Sequence, residues 1–177
     1  PVTHGKAARS LSRTHEWAVR SLKAHQTHPR GVKIFTSGVD RNRQALYGVV
    51  QGSVYEDLRK KSAQFIGEMD FDGIAIGGVS VGESKKEMVN VLDWAVPLLP
   101  DTKPRHLLGV GEIDDIFELI ERGIDTFDCV QPTRLARMGK LLGRKEIDIT
   151  KAEWASDVRP IVDGCGCYAC QNFTRAY

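Results

Sequence analysis

Four short apolar runs alternating with helix-period segments constrain this chain more than any other feature. The runs are Ala45-Leu46-Tyr47-Gly48-Val49-Val50, Gly73-Ile74-Ala75-Ile76, Arg105-His106-Leu107-Leu108 and one beginning Ile124-Asp125-Thr126-Phe127. At four to six residues they are too short for core helices and read as buried strands. A helical pattern runs from about Val54 to Met69. Ser84 and Glu87 have the spacing of a capping box, opening a helix to about Leu98. Asp114 to Arg122 is apolar-periodic and is closed by Gly123. Ahead of the first strand, Thr3 can cap a helix to about His25, because Ala8, Leu11, His15, Ala18 and Leu22 fall on one helical face. Such alternation gives βαβ units and a parallel sheet, an α/β fold. Four units make about the second half of a (β/α)8 TIM barrel. A doubly wound sheet has the same periodicity and stays open as the alternative. No Gly-x-Gly-x-x-Gly follows the first strand, and no phosphate-loop motif occurs.

Each expected strand ends in small or polar residues: Gln51-Gly52, Gly77-Gly78, Gly109-Val110-Gly111 and Asp128-Cys129. In a parallel α/β fold these ends share one face, where active sites form. Glycines let a flat ligand approach the backbone, Gln51 offers a donor and an acceptor, and Asp128 a carboxylate. Together they suit a planar heterocycle. Ordinary βα turns account equally well for the glycines, but less well for Gln51 and Asp128.

The net charge, 25 − 23 = +2, names no partner, but its distribution does more. Residues 1 to 33 hold seven Lys or Arg against one acid, Glu16, and residues 134 to 145 hold five basic residues and no acid. Such stretches suit a phosphate-bearing partner, or simply solvated helix faces. A content of 41% apolar and 27% charged residues excludes disorder as the default. No apolar run approaches the roughly 18 residues of a membrane span. The start at Pro1 rather than Met suggests a segment of a longer sequence.

Cys165, Cys167 and Cys170 form Cys-x-Cys-x-x-Cys, with Gly164 and Gly166 easing the backbone. Three thiols so close suit Zn2+ better than a disulfide framework and point to a reducing compartment. Iron–sulfur ligation is a smaller alternative. The seven residues after Cys170 contain no Cys, His, Asp or Glu, so a fourth ligand is expected from a distant His or from outside this chain.

Taken in order, Tyr47-Gly48-Val49-Val50-Gln51-Gly52, Gly77-Gly78-Val79-Ser80-Val81-Gly82-Glu83, His106-Leu107-Leu108-Gly109-Val110-Gly111 and Phe127-Asp128-Cys129-Val130-Gln131-Pro132-Thr133-Arg134, followed by the cysteine motif, resemble the successive motifs of the tRNA-guanine transglycosylases, the queuine tRNA-ribosyltransferase family. The resemblance runs over nearly the whole chain. It implies a pentosyltransferase of queuosine biosynthesis, which exchanges guanine at the tRNA wobble position for a 7-deazaguanine. It implies the second half of the barrel over residues 1–150 and the start of a zinc-binding subdomain over 151–177. By motif position Asp128 is the nucleophile, and Gln51, Gly78 and Val79 line the base pocket. Glu83 orients the backbone group that reads the incoming base. Arg134 and Arg137 contact the anticodon loop. Lys140 follows them at i+6, where a helix would point all three one way. Cys165, Cys167 and Cys170 bind zinc, with the family's His ligand downstream.

The resemblance further implies a cytoplasmic enzyme that is a homodimer at full length and touches no membrane. The family's general acid/base Asp belongs to the barrel half that this chain lacks, so the fragment is expected to be inactive alone. A non-catalytic RNA-binding accessory subunit is the alternative function. Retention of Asp128, Gln51 and Glu83 argues against it.

Overall fold

The computed structural model describes residues 2–27, 44–79, 84–143 and 146–177. It divides into two compact units, Pro1–Cys129 and Val130–Tyr177.

The first unit carries a parallel sheet of four strands, β1 (Tyr47–Val50), β2 (Gly73–Ile76), β3 (Arg105–Leu107) and β4 (Thr126–Phe127), in the spatial order β1-β2-β3-β4. Helices α1 (His4–Thr27), α2 (Glu56–Gly67), α3 (Lys85–Ala95) and α4 (Ile113–Glu121) precede, separate and link them. The expected elements are therefore present, with ends shifted by one to three residues. Ser84 forms the expected capping box: its hydroxyl accepts from the Glu87 N–H, and the Glu87 carboxylate accepts from the Ser84 N–H at 2.8 Å. The segment read as one helix to Leu98 changes to a 3-10 turn over Val96–Leu98. Pro97 lies in that turn and cannot donate to a helical ladder.

Strand alternation separates two faces. Val50, Ile74, Ile76 and Leu107 point one way and are fully buried. They join Ala63 and Ile66 of α2, Met88, Val91, Leu92 and Ala95 of α3, and Leu119 of α4 in one core. Ala18 and Leu22 of α1 pack against its margin, as their periodicity predicts. The helices thus bury a single face of the sheet. The opposite face carries Tyr47, Val49, Ala75, His106 and Thr126, in rows fixed by the pairs Val49↔Ala75, Ala75↔His106 and His106↔Thr126. Continuing that register by one pleat brings Gln51, Gly77 and Asp128 to the strand ends on this less covered face.

The second unit contains α5 (Gln131–Arg137), an antiparallel pair of β5 (Lys140–Leu141) and β6 (Ile147–Asp148), and a short helix α6 (Tyr168–Asn172). Asp157 knits its C-terminal part together: it accepts from Arg159 Nη2 at 2.6 Å and from Arg175 Nη1 at 3.3 Å. The Arg159 side chain holds this carboxyl far below the usual carboxylate range. No helix among the described residues is long and apolar enough to cross a membrane.

Candidate active site

The ends of β1 and β2 form one joined platform. Gly77 donates its N–H to the Val50 carbonyl at 3.1 Å, and the Gln51 N–H is accepted by Ser62 Oγ of α2 at 3.1 Å. The Gln51 amide lies directly over Gly77 and Gly78. A Cβ at Gly77 would stand 2.7 Å from Gln51 Nε2, and one at Gly78 2.8 Å from Gln51 Oε1. Gly78 also has φ +66°, a conformation that side-chain-bearing residues rarely adopt. The backbone conformation calls for glycine at Gly78, and a side chain at either position would displace the Gln51 amide. Gln51, Gly52, Ser53 and Gly78 line an open cleft of about 510 Å3 whose far wall is the α1 stretch Ala7 to Thr14.

Arg59 builds the underside of this platform and was not singled out from the sequence. It is fully buried on α2. Its Nε donates to the Ser53 carbonyl at 2.6 Å, Nη1 to Gly77 at 2.8 Å and to Val50 at 3.2 Å, and Nη2 to Gly78 at 2.9 Å. One guanidinium therefore ties the loop after β1 to the loop after β2, which its planar fork of five donors suits. The signal was available: Arg59 lies on the buried helical face with Ser62, Ala63 and Ile66, where a charge is out of place.

Asp128 stands past the end of β4, with its side chain about half exposed. Its Oδ1 accepts from the Gly109 N–H at 2.9 Å and faces His106 Nε2 at 3.1 Å. The Gly109 N–H, followed by the His106 imidazole, holds the carboxyl below the usual carboxylate range. Asp128 is accordingly a charged, oriented and accessible carboxylate at neutral pH. His106 is a second residue without an assigned role in the motif reading. Its place on β3, in register with Thr126, was implicit in strand alternation.

The other expected positions divide. Val79 is buried in the core, so only its backbone can face a ligand. Glu83 lies outside the described residues. Arg134 and Arg137 are exposed on α5 and, among the described residues, have no ion-pair partner. Lys140 departs from the expected helix: α5 ends at Arg137, Gly139 turns the chain at φ +76°, and Lys140 lies in β5, 3.3 Å from Glu146. The three cations therefore do not share one helical face.

Cys165, Cys167 and Cys170 come together, with all three sulfurs within 4.8 Å of one another. Sulfurs bound tetrahedrally at about 2.3 Å from zinc stand roughly 3.8 Å apart. The cluster therefore needs only a small contraction, and soft thiolates favour zinc over magnesium or calcium.

The chain matches the family model described as queuine tRNA-ribosyltransferase over residues 1–177. The chain belongs to the queuine tRNA-ribosyltransferase family. Proteins of that name are close to it in sequence. The one from Enterococcus faecalis is 48% identical over 170 residues, covering 96% of this chain and 41% of that protein. Those from Pelotomaculum thermopropionicum and Halothermothrix orenii are 47% and 45% identical over 178 residues, covering all of this chain and 44% of each protein. The chain thus spans about two fifths of the length of these relatives.

Proposed function

We propose that this chain is the second barrel half of a tRNA-guanine transglycosylase, exchanging guanine at the wobble position for a 7-deazaguanine. Family membership supports the reaction class. The observation that carries the site is Asp128, an oriented carboxylate on the sheet face that also holds Gln51 and Gly77. The barrel reading is favoured by sequential strand order with helices on one face, since doubly wound sheets carry helices on both. The barrel half is read over residues 1–150 and the start of the zinc-binding subdomain over 151–177, whereas the compact units divide after Cys129.

The chemistry follows from the carboxylate. An Asp128 oxygen attacks ribose C1′ as the N-glycosidic bond breaks, and the leaving guanine keeps the bond's electron pair. The guanine takes its proton from an acid in the barrel half outside this chain. The conjugate base of that acid then takes the proton from the attacking nitrogen of the incoming 7-deazaguanine, which displaces the carboxylate. One displacement becomes two, and the cut tRNA stays attached between them. Charge developing at C1′ is stabilised by the carboxylate it approaches. Gln51 offers its amide to the edge of the base, and the Gly77–Gly78 backbone offers a close floor. Arg134 and Arg137 reach the anticodon loop, whose unstacked bases are open to such contacts, and the target base must leave its stack. Cys165, Cys167 and Cys170 would hold zinc, which when bound would brace the fold around the RNA-facing segment.

In the complete enzyme, Asp128→Asn is expected to lower guanine exchange into tRNA by at least about 10³-fold, the scale of a lost nucleophile. Exchange at the normal rate would remove Asp128 from the mechanism. An accessory, non-catalytic role would show as tRNA binding with no covalent adduct in a denaturing gel. The fragment alone is expected not to turn over, and exchange by it would contradict that.

A further inference from the structure

Both hydrogen bonds to the Asp128 carboxylate fall on one oxygen. Oδ1 takes the Gly109 N–H and faces His106 Nε2, while Oδ2 has no hydrogen bond among the described residues. His106 is held in turn from its other side, with Nδ1 2.8 Å from Thr126 Oγ1. Thr126 is the register partner of His106 on β4, and Asp128 follows it two residues later on the same face. Strand pairing therefore sets the whole Thr126–His106–Asp128 row.

The chemistry of the row selects one proton arrangement. A neutral imidazole has one N–H. If that proton were on Nδ1, a ring lone pair would face the Asp128 carboxylate. With the proton on Nε2, the ring donates to Oδ1 and Nδ1 accepts from the Thr126 hydroxyl. Of the two neutral forms, only the second satisfies all three groups. His106 is mostly covered, with its side chain 21% exposed, so competing water is restricted.

We propose that His106, held in its Nε2–H form by Thr126, is a positioning residue that fixes the Asp128 carboxylate so that Oδ2 is the attacking oxygen. The proposal rests on Asp128 being the nucleophile. In the first displacement the Oδ2–C1′ bond forms as the C1′–base bond breaks, and Oδ1 becomes the carbonyl oxygen of the resulting ester. Oδ1 keeps its two donors throughout. On the return step, the same donors receive the negative charge as Oδ2 departs with its electron pair. A carboxylate free to rotate would spend part of its time at angles where neither oxygen is aimed at C1′, which lowers the rate without weakening substrate binding.

The test uses the complete enzyme and four variants, with kcat, KM for tRNA and KM for the base as readouts. H106F keeps the ring and removes both hydrogen bonds. It is expected to lower kcat roughly 10- to 100-fold with each KM within about threefold of the parent. H106Q can place an amide N–H near the original Nε2 and is expected to recover most of that loss. T126V leaves the imidazole without its tautomer partner and is expected to cost about threefold to tenfold in kcat. D128N reports on the nucleophile itself. If D128N still forms the covalent adduct, the nucleophile assignment fails. If D128N is inactive while H106F keeps the parent kcat, the positioning role alone fails. It also fails if H106Q is no better than H106F, or if H106F raises KM as much as it lowers kcat. Should H106F not fold, T126V decides: reduced kcat at constant KM supports the role, and unchanged kcat overturns it.

Discussion

At the residue scale, the site consists of a few polar groups held by backbone. Asp128 is kept ionised by a Gly109 N–H and aimed by His106, while the Gln51 amide rests against two glycines where a Cβ would displace it. Motif reading found Asp128 and Gln51 because their types are unusual at strand ends. It gave His106 no role because a histidine inside an apolar run looks like core until the register is known. The three cysteines are the opposite case: spacing alone announced them, and the chain brings their sulfurs within 4.8 Å of one another. Thiolate binding makes a direct prediction. Purified complete protein is expected to carry zinc, and Cys167→Ser to lose most of it, measured as metal per chain by plasma mass spectrometry. Unchanged zinc in that variant would mean that the metal sits elsewhere.

At the scale of elements, periodicity located the helices of the first unit because each buries one face, and short apolar runs located its strands. It failed where a local breaker acts. Pro97 converts the end of the third helix into a 3-10 turn, and Gly139 ends α5 before Lys140. A charge spacing of i, i+3, i+6 carries no information about where a helix stops. Arg59 of α2 shows what pattern reading omits, since its four carbonyl partners come from residues up to 19 positions away. Arg59→Met keeps the bulk but leaves those carbonyls with fewer donors. It is expected to destabilise the complete protein by on the order of 3 kcal/mol, read from denaturant melts. Loss of less than about 0.5 kcal/mol would show that the clamp is replaceable by water.

At the scale of the whole molecule, the first unit is built on one four-stranded parallel sheet. Strands run in sequence order, helices cover one face, and the other face carries the site. Among the described residues β1 and β4 are the edges of this sheet, and an uncovered edge favours pairing with further chain. The relatives are more than twice as long as this chain. The proposed bond between Asp128 and the ribose during exchange is tested by peptide mapping of the covalent adduct trapped between tRNA and the complete enzyme. A single ribose-linked peptide containing Asp128, absent from the Asp128→Asn variant, is expected. An adduct mapped to any other carboxylate, or undiminished exchange in that variant, would contradict it.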